Sequence, residues 1–331
     1  MLPQATAHPV NFSAPKLGVG INYHWDLHHL IQQNLGLIDY IEVSPDIFCE
    51  EILTGQERRF HLDGKKLQDA LTLAQSCPVI VHGLGLSIGS ASGWNSDYLA
   101  LIDQYAQRQS FLWHSEHLGF TLAKNQDGSE NHAGLLLPMP FTQEALDLLC
   151  PRINHLCKRY AVPFLIENTT YYLPQYSNTA ESNITVWDEI DFLNQLLTHT
   201  ECGLLLDLYN FYCNAVNFGF DPYAALARLQ LERVIEIHVA GGVTHEGFLL
   251  DVHSSEVPEP VWQLLEWLLP KLPNLRAITY EVLEQALYVM GEEKIIAQIA
   301  QCKSLWAKYL HLMANSSSRQ QNSGAQHHVA A

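Results

Sequence analysis

Residues 203–210 read Gly203-Leu-Leu-Leu-Asp-Leu-Tyr-Asn210, a short apolar run that passes directly into polar and ionisable residues. An apolar run that is continuous rather than alternating is typical of a strand buried on both faces. Runs of the same kind recur along the chain, and each predicts one buried strand. The eight runs are Leu17–Ile21, Leu37–Ser44, Val79–Gly83, Phe111–Leu118, Pro163–Asn168, Gly203–Asn210, Val234–Gly241 and Ala277–Leu283.

The segments between these runs have apolar residues at helical spacing. This spacing predicts helices over Trp94–Gln109, Thr142–Tyr160, Val186–Leu197 and Pro260–Leu269. Strands that alternate with helices in this way indicate an α/β fold of the (β/α)₈ TIM-barrel type, which takes about 250 residues as a single domain. An open doubly wound sheet is the competing architecture. It would need a G-x-G-x-x-G turn, which no glycine-rich stretch of this sequence completes.

The composition also predicts where the domain ends. Residues 16–313 are expected to form the barrel domain, preceded by an N-terminal extension of residues 1–15. Residues 314–331 are rich in Ser, Gln and Asn and have almost no apolar content. Such a segment cannot bury enough apolar surface to offset the loss of chain entropy, so a disordered C-terminal tail is predicted.

The charge balance argues against two classes of protein. The chain has 18 Lys and Arg against 35 Asp and Glu, a net charge of −17. Binding to nucleic acid or to anionic lipid needs a basic surface, so neither partner is expected.

The N-terminus lacks the features of a signal peptide, and no apolar run reaches the ~18 residues of a membrane helix. Seven cysteines without a C-x-x-C motif predict reduced thiols in a cytoplasmic protein.

Ionisable residues stand at the ends of the predicted strands. In a (β/α)₈ barrel these ends meet at one rim, where active sites lie. Carboxylates buried together repel one another, so bound cations are the least costly resolution. Oxygen and imidazole donors suit Fe, Mn or Zn. Eight candidates are too many for one ion, so two or three ions sharing bridging carboxylates are predicted. The candidate ligands are His82, Glu116, Glu167, Asp207, His238, Asp251, His253 and Glu281.

Two residues of the first strands are weaker candidates. His24 lies next to Trp25 in a predicted loop, and is interpreted as a ligand, a substrate contact or a surface histidine. Glu42 lies in the second predicted strand. It either binds a metal directly or holds the imidazole of a ligand in place, a role that matters nearly as much as ligation.

At these residues the sequence resembles the multinuclear non-heme iron-dependent oxidases, a family catalogued as DUF692 and typified by the oxidase of methanobactin biosynthesis. The matching segments follow in order over most of the chain, so the resemblance concerns a whole domain. They are Gly18-Val-Gly-Ile-Asn-Tyr-His24, His82-Gly-Leu-Gly-Leu-Ser-Ile-Gly89, Ser115-Glu-His-Leu-Gly119, Leu137-Pro-Met-Pro140, Glu167-Asn168, Leu204-Leu-Leu-Asp-Leu-Tyr-Asn210, Glu236-Ile-His-Val-Ala-Gly241 and Asp251-Val-His253.

The resemblance implies a TIM barrel with two or three iron ions, as Fe²⁺ and Fe³⁺, and O₂ as co-substrate. It implies oxidation of a cysteine in a ribosomally synthesised precursor peptide, often with a small partner protein that captures the leader of the peptide. The eight candidate ligands are implied as iron ligands. Asn168 and Asn210 are implied as ligands or as hydrogen-bond donors to ligands. His117 and His24 are candidate acid–base or substrate-facing groups.

The sequence departs from many relatives at strands 1, 2 and 8. Asn22 replaces an Arg, Pro45-Asp46 a Glu-Asn pair, and Val282-Leu283 a Trp-Asp pair. These departures leave the candidate ligands intact and concern the substrate. The alternatives are a divalent-metal sugar isomerase or epimerase on a xylose-isomerase-like barrel, a zinc phosphodiesterase, or a metal-storage or partner-binding protein. An isomerase would work without O₂, and a storage protein would bind iron without consuming O₂.

Overall fold

Eight parallel strands form a closed barrel at the centre of the molecule. The computed structural model describes residues 12–54, 57–62, 64–124, 130–174 and 186–326. The barrel strands are β1 (Gly18–Asn22), β2 (Tyr40–Val43), β5 (Val79–Gly83), β6 (His114–His117), β9 (Phe164–Glu167), β10 (Gly203–Asp207), β11 (Val234–Val239) and β14 (Ala277–Tyr280). Each strand pairs with the next, and β1 pairs with both β2 and β14, which closes the ring. Each predicted apolar run overlaps one barrel strand, so the predicted (β/α)₈ fold is confirmed.

Three antiparallel hairpins follow barrel strands, and the sequence reading missed all three. They come after β2, β6 and β11, and therefore lie at the rim where the barrel strands end. Their strands are short, or lack the continuous apolar run of a buried strand. The hairpins are β3 (Cys49–Thr54) with β4 (Glu57–Leu62), β7 (Gly119–Lys124) with β8 (Glu130–Pro138), and β12 (Val243–His245) with β13 (Phe248–Leu250).

Helices surround the barrel, and those predicted from apolar spacing are present. Their starts are capped as the sequence requires: the Thr142 side chain accepts a hydrogen bond from the Ala145 amide at the start of α4. Among the described helices, none has the length and apolar content to cross a membrane. The helices are α1 (His28–Gln33), α2 (Gly64–Leu73), α3 (Ser96–Ala106), α4 (Gln143–Leu156), α5 (Glu189–His199), α6 (Leu208–Phe218), α7 (Pro222–Leu226), α8 (Glu259–Leu268), α9 (Glu284–Met290) and α10 (Glu292–Gln326).

The last helix runs past the predicted end of the domain. Helical backbone in α10 continues to Gln326, through most of the predicted tail. Adding a residue to an existing helix is less costly than starting a new one, and alanine and glutamine are good helix formers. Residues 1–11 and 327–331 lie outside the described residues. The N-terminal extension and the disorder of the tail therefore stay predictions.

The lower half of the barrel interior has an apolar core of its own. Ile80, Leu165 and Leu205 are fully buried there. Because side chains alternate along a strand, the residues two positions later also face the interior, one layer higher. Those residues are His82, Glu167 and Asp207, so the alternation places a polar layer directly above an apolar one. The apolar core consists of Phe12, Tyr40, Ile80, Trp113, Leu165, Leu205, Ile235 and Ala277.

Candidate metal centre

A cluster of carboxylates and imidazoles fills the upper half of the barrel interior. We call it the interior cluster. Its members come from seven of the eight barrel strands or the residues directly after them, and most are buried. Three groups within it have ligand atoms close enough together to share a metal ion. The interior cluster consists of Glu42, His82, His117, Glu167, Asp207, Glu236, His238 and Glu281, with Asp251 and His253 at its edge.

The first group is formed by His82, His117 and Glu167. The Nε2 atoms of the two histidines lie 3.2 and 3.1 Å from Glu167 Oε2. His117 Nδ1 lies 3.0 Å from the carbonyl oxygen of Gly83, which can only accept a hydrogen bond. Nδ1 of His117 therefore carries the proton, and the neutral ring turns the lone pair of Nε2 towards Glu167.

Ser115 imposes the same tautomer on His82. The Ser115 hydroxyl donates to the carbonyl oxygen of Val81 at 3.2 Å, and His82 Nδ1 lies 2.9 Å from the same hydroxyl. Since the one hydroxyl proton is used by Val81, the hydroxyl accepts from His82 Nδ1. When both rings are neutral, two imidazole lone pairs face one carboxylate oxygen. A bound metal ion satisfies that arrangement, and without an ion protons on the rings do so.

The second group contains Glu167, Asp207, His238 and Glu281. His238 Nδ1 lies 3.0 Å from Glu281 Oε2 and 3.7 Å from Glu167 Oε1. Asp207 accepts a hydrogen bond from the Asn210 amide at 2.6 Å through Oδ1, which begins α6. Its Oδ2 atom is buried and has no hydrogen-bond partner among the described residues. Glu167 thus reaches both groups, with Oε2 in the first and Oε1 in the second.

Asp251 and His253 lie beside the second group, in the loop after β13. His253 Nε2 lies 2.5 Å from Asp251 Oδ1, and His253 Nδ1 lies 3.5 Å from Glu281 Oε2. The backbone of His253 has φ 42°, in the left-handed region that a non-glycine residue rarely adopts. Its carbonyl oxygen accepts a hydrogen bond from the Leu283 amide at 3.0 Å, which connects the loop to the end of β14. A strained residue held in this way is typical of a functional site.

Two sequence candidates lie elsewhere. Glu116 neighbours inward-facing residues on both sides along β6, so its own side chain points to the outer face of the barrel wall. There its Oε1 atom lies 2.7 Å from His114 Nε2, and the structure does not bring it into the interior cluster. His24 lies at the rim, with Nε2 3.2 Å from Glu284 Oε2 and its ring against Trp25.

The two asparagines brace the strands that carry ligands. Asn168 donates to the Asp207 carbonyl at 3.0 Å and accepts from the Asp207 amide at 2.9 Å, which uses both ends of its side-chain amide. Asn210 donates to the Asn168 carbonyl at 3.2 Å. Asn168 therefore aligns the ends of β9 and β10, and holds the backbone of Asp207 rather than offering a free oxygen to an ion.

Glu236 belongs to the interior cluster and was missed by the sequence reading. Its Oε1 atom lies 3.5 Å from His238 Nε2, and Glu42 Oε2 lies 3.0 Å from the same nitrogen. Glu42, Glu236 and His238 form the third of the three groups. Only the spacing could have identified it. Glu236 stands two residues before a candidate ligand on the same strand, and therefore faces the same side.

The electrostatics show how the cluster is balanced without an ion. Burial lowers the pKa of His82, but the carboxylates of Glu167 and Glu42 reverse this and raise it to about 10. Burial raises the pKa of Asp207 well above its usual range, and the charge of Glu167 raises it further. The metal-free cluster therefore binds protons to offset its own charge. Metal ions displace such protons when they bind.

The residues fit a metal centre by a further observation. Several buried ligand atoms, including Asp207 Oδ2, Glu167 Oε2 and His82 Nε2, have no hydrogen-bond partner among the described residues. Buried polar atoms are normally paired, and an orphaned one calls for an explanation such as a missing ion. In the described part of the chain no lysine or arginine forms an ion pair with the cluster. Bound cations would supply both the missing partners and the missing charge.

Solved structures similar to this chain share its barrel. A candidate xylose isomerase from Rhodospirillum rubrum has a TM-score of 0.52 at 14% identity, and the match covers 87% of this chain and 99% of that one. The IolI protein, whose crystal structure holds a zinc atom, has a TM-score of 0.51 at 14% identity, and the match covers 88% of this chain and 99% of that one. At such identities the likeness concerns the fold alone.

Relatives by sequence match over most of the chain. A UPF0276 protein of Caulobacter vibrioides is 36% identical over 230 residues, which are 70% of this chain and 74% of that protein. A UPF0276 protein of Haemophilus influenzae is 31% identical over an alignment of 326 positions, which covers 89% of this chain and 96% of that protein. The shared region therefore includes nearly all of both proteins in the second case.

A family model agrees with these relatives. The model of the RiPP precursor modification enzymes MbnB, TglH and ChrH matches residues 18–304, where RiPP denotes a ribosomally synthesised and post-translationally modified peptide. That span starts at the first residue of β1, ends within α10 and contains the whole interior cluster. The resemblance inferred from the motifs is confirmed. The chain belongs to the MbnB/TglH/ChrH family of RiPP precursor modification enzymes.

Proposed function

We propose that this protein is an iron-dependent, O₂-consuming oxidase that modifies a cysteine of a ribosomally synthesised precursor peptide. The observation that carries the proposal is the position of Glu167, whose two oxygens serve two adjacent groups of imidazole and carboxylate ligands. A carboxylate shared in this way is what two neighbouring ions need. The donor set has no thiolate, which favours Fe, Mn or Zn, and membership of the family supports a peptide substrate.

The roles of the residues follow from their contacts. We assign one ion to the first group and a second to Glu167, Asp207, His238 and Glu281, with Asp251 and His253 available to a third. Bound iron would supply redox chemistry with O₂ and would favour the thiolate form of the peptide cysteine. Ser115 and the Gly83 carbonyl orient the first pair of imidazoles, and Asn168 aligns the strand that carries Asp207.

Two histidines predicted as acid–base groups receive different roles. We assign His117 to the first ion, because Nδ1 is held by Gly83 and Nε2 faces Glu167. His24 remains the candidate for proton transfer or substrate contact at the rim. Burial lowers its pKa, and the nearby carboxylates of Glu284 and Asp26 only partly offset this, so the ring is suited to accept a proton near neutral pH.

The partners proposed from the sequence stay part of this proposal. The substrate is a precursor peptide that contains cysteine, and a small partner protein presents its leader. The enzyme acts in the cytoplasm, where cysteines such as Cys213 and Cys302 stay reduced; both are buried.

Metal content and oxygen uptake test this function. Protein purified without air should contain about two or three irons per chain, and should consume O₂ with a cysteine-containing precursor peptide encoded beside its gene. His238→Ala and Asp207→Ala should lose iron and turnover, whereas His29→Ala, an exposed histidine on α1, should keep both. Protein without iron, or with iron but inert to O₂ on every neighbouring peptide, would contradict the proposal. Sugar isomerisation without O₂ would favour the isomerase alternative.

A further inference from the structure

Glu236 lies beneath the proposed metal centre, in a setting that is unusual for a carboxylate. It is fully buried, and its partners are two neutral donors and an imidazole. Trp113 Nε1 donates to Oε2 at 2.8 Å, and the Thr279 hydroxyl donates to Oε1 at 2.6 Å. Because the hydroxyl proton of Thr279 is used in this way, the Tyr40 hydroxyl, 2.7 Å away, must donate to Thr279. The directions of all three hydrogen bonds are therefore set.

These donors leave Glu236 with little freedom to move. Trp113, Thr279 and Tyr40 are themselves fully buried. Thr279 lies on β14, Tyr40 lies on β2, and Trp113 directly precedes β6. An indole N–H can only donate, so Oε2 of Glu236 is pinned on that side. The other oxygen, Oε1, remains 3.5 Å from His238 Nε2. The network thus connects the apolar floor of the barrel to a single imidazole of the interior cluster.

His238 has a different set of neighbours at each ring nitrogen. Nδ1 faces Glu281 and Glu167, in the group where Asp207 keeps an unpartnered oxygen. Nε2 faces Glu42 and Glu236. A neutral imidazole has one lone pair and one N–H, so it binds an ion on one side and donates on the other. A buried oxygen without a partner lies on each side, Asp207 Oδ2 near Nδ1 and Glu42 Oε1 near Nε2. The Nε2 side differs in that both oxygens of its second carboxylate, Glu236, are already held by donors.

We propose that Glu236 is a positioning residue for His238. Together with Glu42 it accepts the Nε2 proton, which fixes the tautomer and turns Nδ1 towards Glu167, Asp207 and Glu281. This assignment rests on the proposed function only in requiring that a metal ion occupies the Nδ1 side. Carboxylates that hold ligating histidines in this way commonly change metal affinity by about 10–100-fold when they are replaced.

Binding of Co²⁺ without air provides the test, since its visible absorption reports ligand geometry and needs no turnover. Glu236→Gln removes the charge and places an N–H of the new amide against one of the donors. We therefore expect an affinity for Co²⁺ about 10–100-fold lower and an altered visible spectrum of the bound Co²⁺. Thr279→Val removes one donor at similar volume, and should change both measurements in the same direction by less. Ile80→Val is the matched control, because Ile80 is equally buried beneath His82 and makes no polar contact with this network.

The outcomes separate this inference from the proposed function. Wild-type protein that binds no Co²⁺ would remove the function on which the assignment rests. If wild type and Glu236→Gln bind Co²⁺ with the same affinity, the positioning role is overturned. It is also overturned if Ile80→Val loses as much affinity for Co²⁺ as Glu236→Gln, because that result would indicate general damage to the core. Loss of a whole equivalent of Co²⁺ at saturation in Glu236→Gln would make Glu236 a ligand, and would also overturn it. Weaker binding at full stoichiometry, with the graded effect of Thr279→Val, would support it.

Discussion

One hydroxyl determines which nitrogen of His82 faces the centre of the barrel. Ser115 accepts from Nδ1 and donates to Val81, so Nε2 is left for an ion. Ser115→Ala removes the acceptor, and should weaken Co²⁺ or Fe²⁺ binding by about 10-fold, because the ring can then rotate or change tautomer. Titration of metal-free protein measures this. Ser92→Ala, at an exposed serine in the loop before α3, is the control; equal affinities in the two variants would contradict the expectation.

Glu189 is a buried carboxyl at the start of α5, and it makes stability depend on pH. Burial raises its pKa to about 8, although hydrogen bonds from Asn214 and Asn168 oppose the shift. The folded state therefore keeps a proton that the unfolded state releases near pH 4.5. The stabilisation is complete below that pH and is lost as the pH rises through about 8, with a slope of up to about 1.4 kcal/mol per pH unit.

Replacement of Glu189 by Gln removes this titration. Relative to wild type, Glu189→Gln should become progressively more stable between pH 5 and 8. Urea unfolding in the presence of a chelator, at several pH values, gives the two slopes without interference from metal. Glu144→Gln, at an exposed position in the first turn of α4, should keep the wild-type slope. A Glu189→Gln slope equal to that of wild type would count against a buried proton.

At the scale of elements, β6 shows how far the sequence can be read. Buried strands could be predicted because their apolar runs are continuous, and the rim position of the polar residues followed from the fold. Neighbouring residues of a strand face opposite sides, however, and the apolar run does not say which of Glu116 and His117 faces inwards. Pairing decides it: His117 lies opposite Glu167 on β9, in a register that only the assembled barrel defines. Glu236, by contrast, could have been found from its spacing, since it stands two residues before His238 on the same strand.

Two side chains of α6 fasten the hairpin β12–β13 to the body of the protein: Tyr209, whose hydroxyl donates to the Leu250 carbonyl at 3.2 Å, and Asn217. Asn217 on α6 donates to the Leu249 carbonyl at 3.0 Å and accepts from the Leu249 amide at 2.8 Å. Asn217→Ala should loosen the hairpin locally by about 1–3 kcal/mol, with little change in global stability. Hydrogen exchange of residues 243–250, followed by mass spectrometry, measures the effect.

Another helix asparagine provides the control for the hairpin. Asn194 on α5 makes a similar pair of bonds, to the Arg228 carbonyl and the Gln230 amide. Asn194→Ala should leave exchange in residues 243–250 unchanged. If both variants protect the hairpin as well as wild type does, Asn217 is not its anchor. The hairpin precedes Asp251 and His253, so its anchoring also bears on the edge of the interior cluster.

For the molecule as a whole, the six carboxylates of the interior cluster connect ion binding to stability. A ligand that binds only the folded state raises the free energy of unfolding by about 2.7 kcal/mol when its concentration is a hundred times Kd. For a domain of this size, that raises Tm by several degrees. Metal-free protein should therefore gain several degrees when Co²⁺ is added. Glu167→Gln should lose most of this gain because both groups share that residue, whereas Glu116→Gln should retain it. Scanning calorimetry in the presence of a chelator and of Co²⁺ measures the shifts in Tm. If Glu116→Gln loses the rise in Tm that Co²⁺ causes, Glu116 is a metal ligand after all.

The small apolar core in the lower half of the barrel limits how ions and substrates can reach the interior cluster. In the described part of the chain, Trp113, Leu165 and their neighbours fill the lower end of the barrel interior. The proposed ions, dioxygen and peptide would therefore all reach the interior cluster from the upper rim. Entry from one end of the barrel sets an order of binding, in which the ions bind before the peptide. A bound peptide would then block the exit of the ions. A chelator should therefore remove metal from the peptide complex more slowly than from the free enzyme.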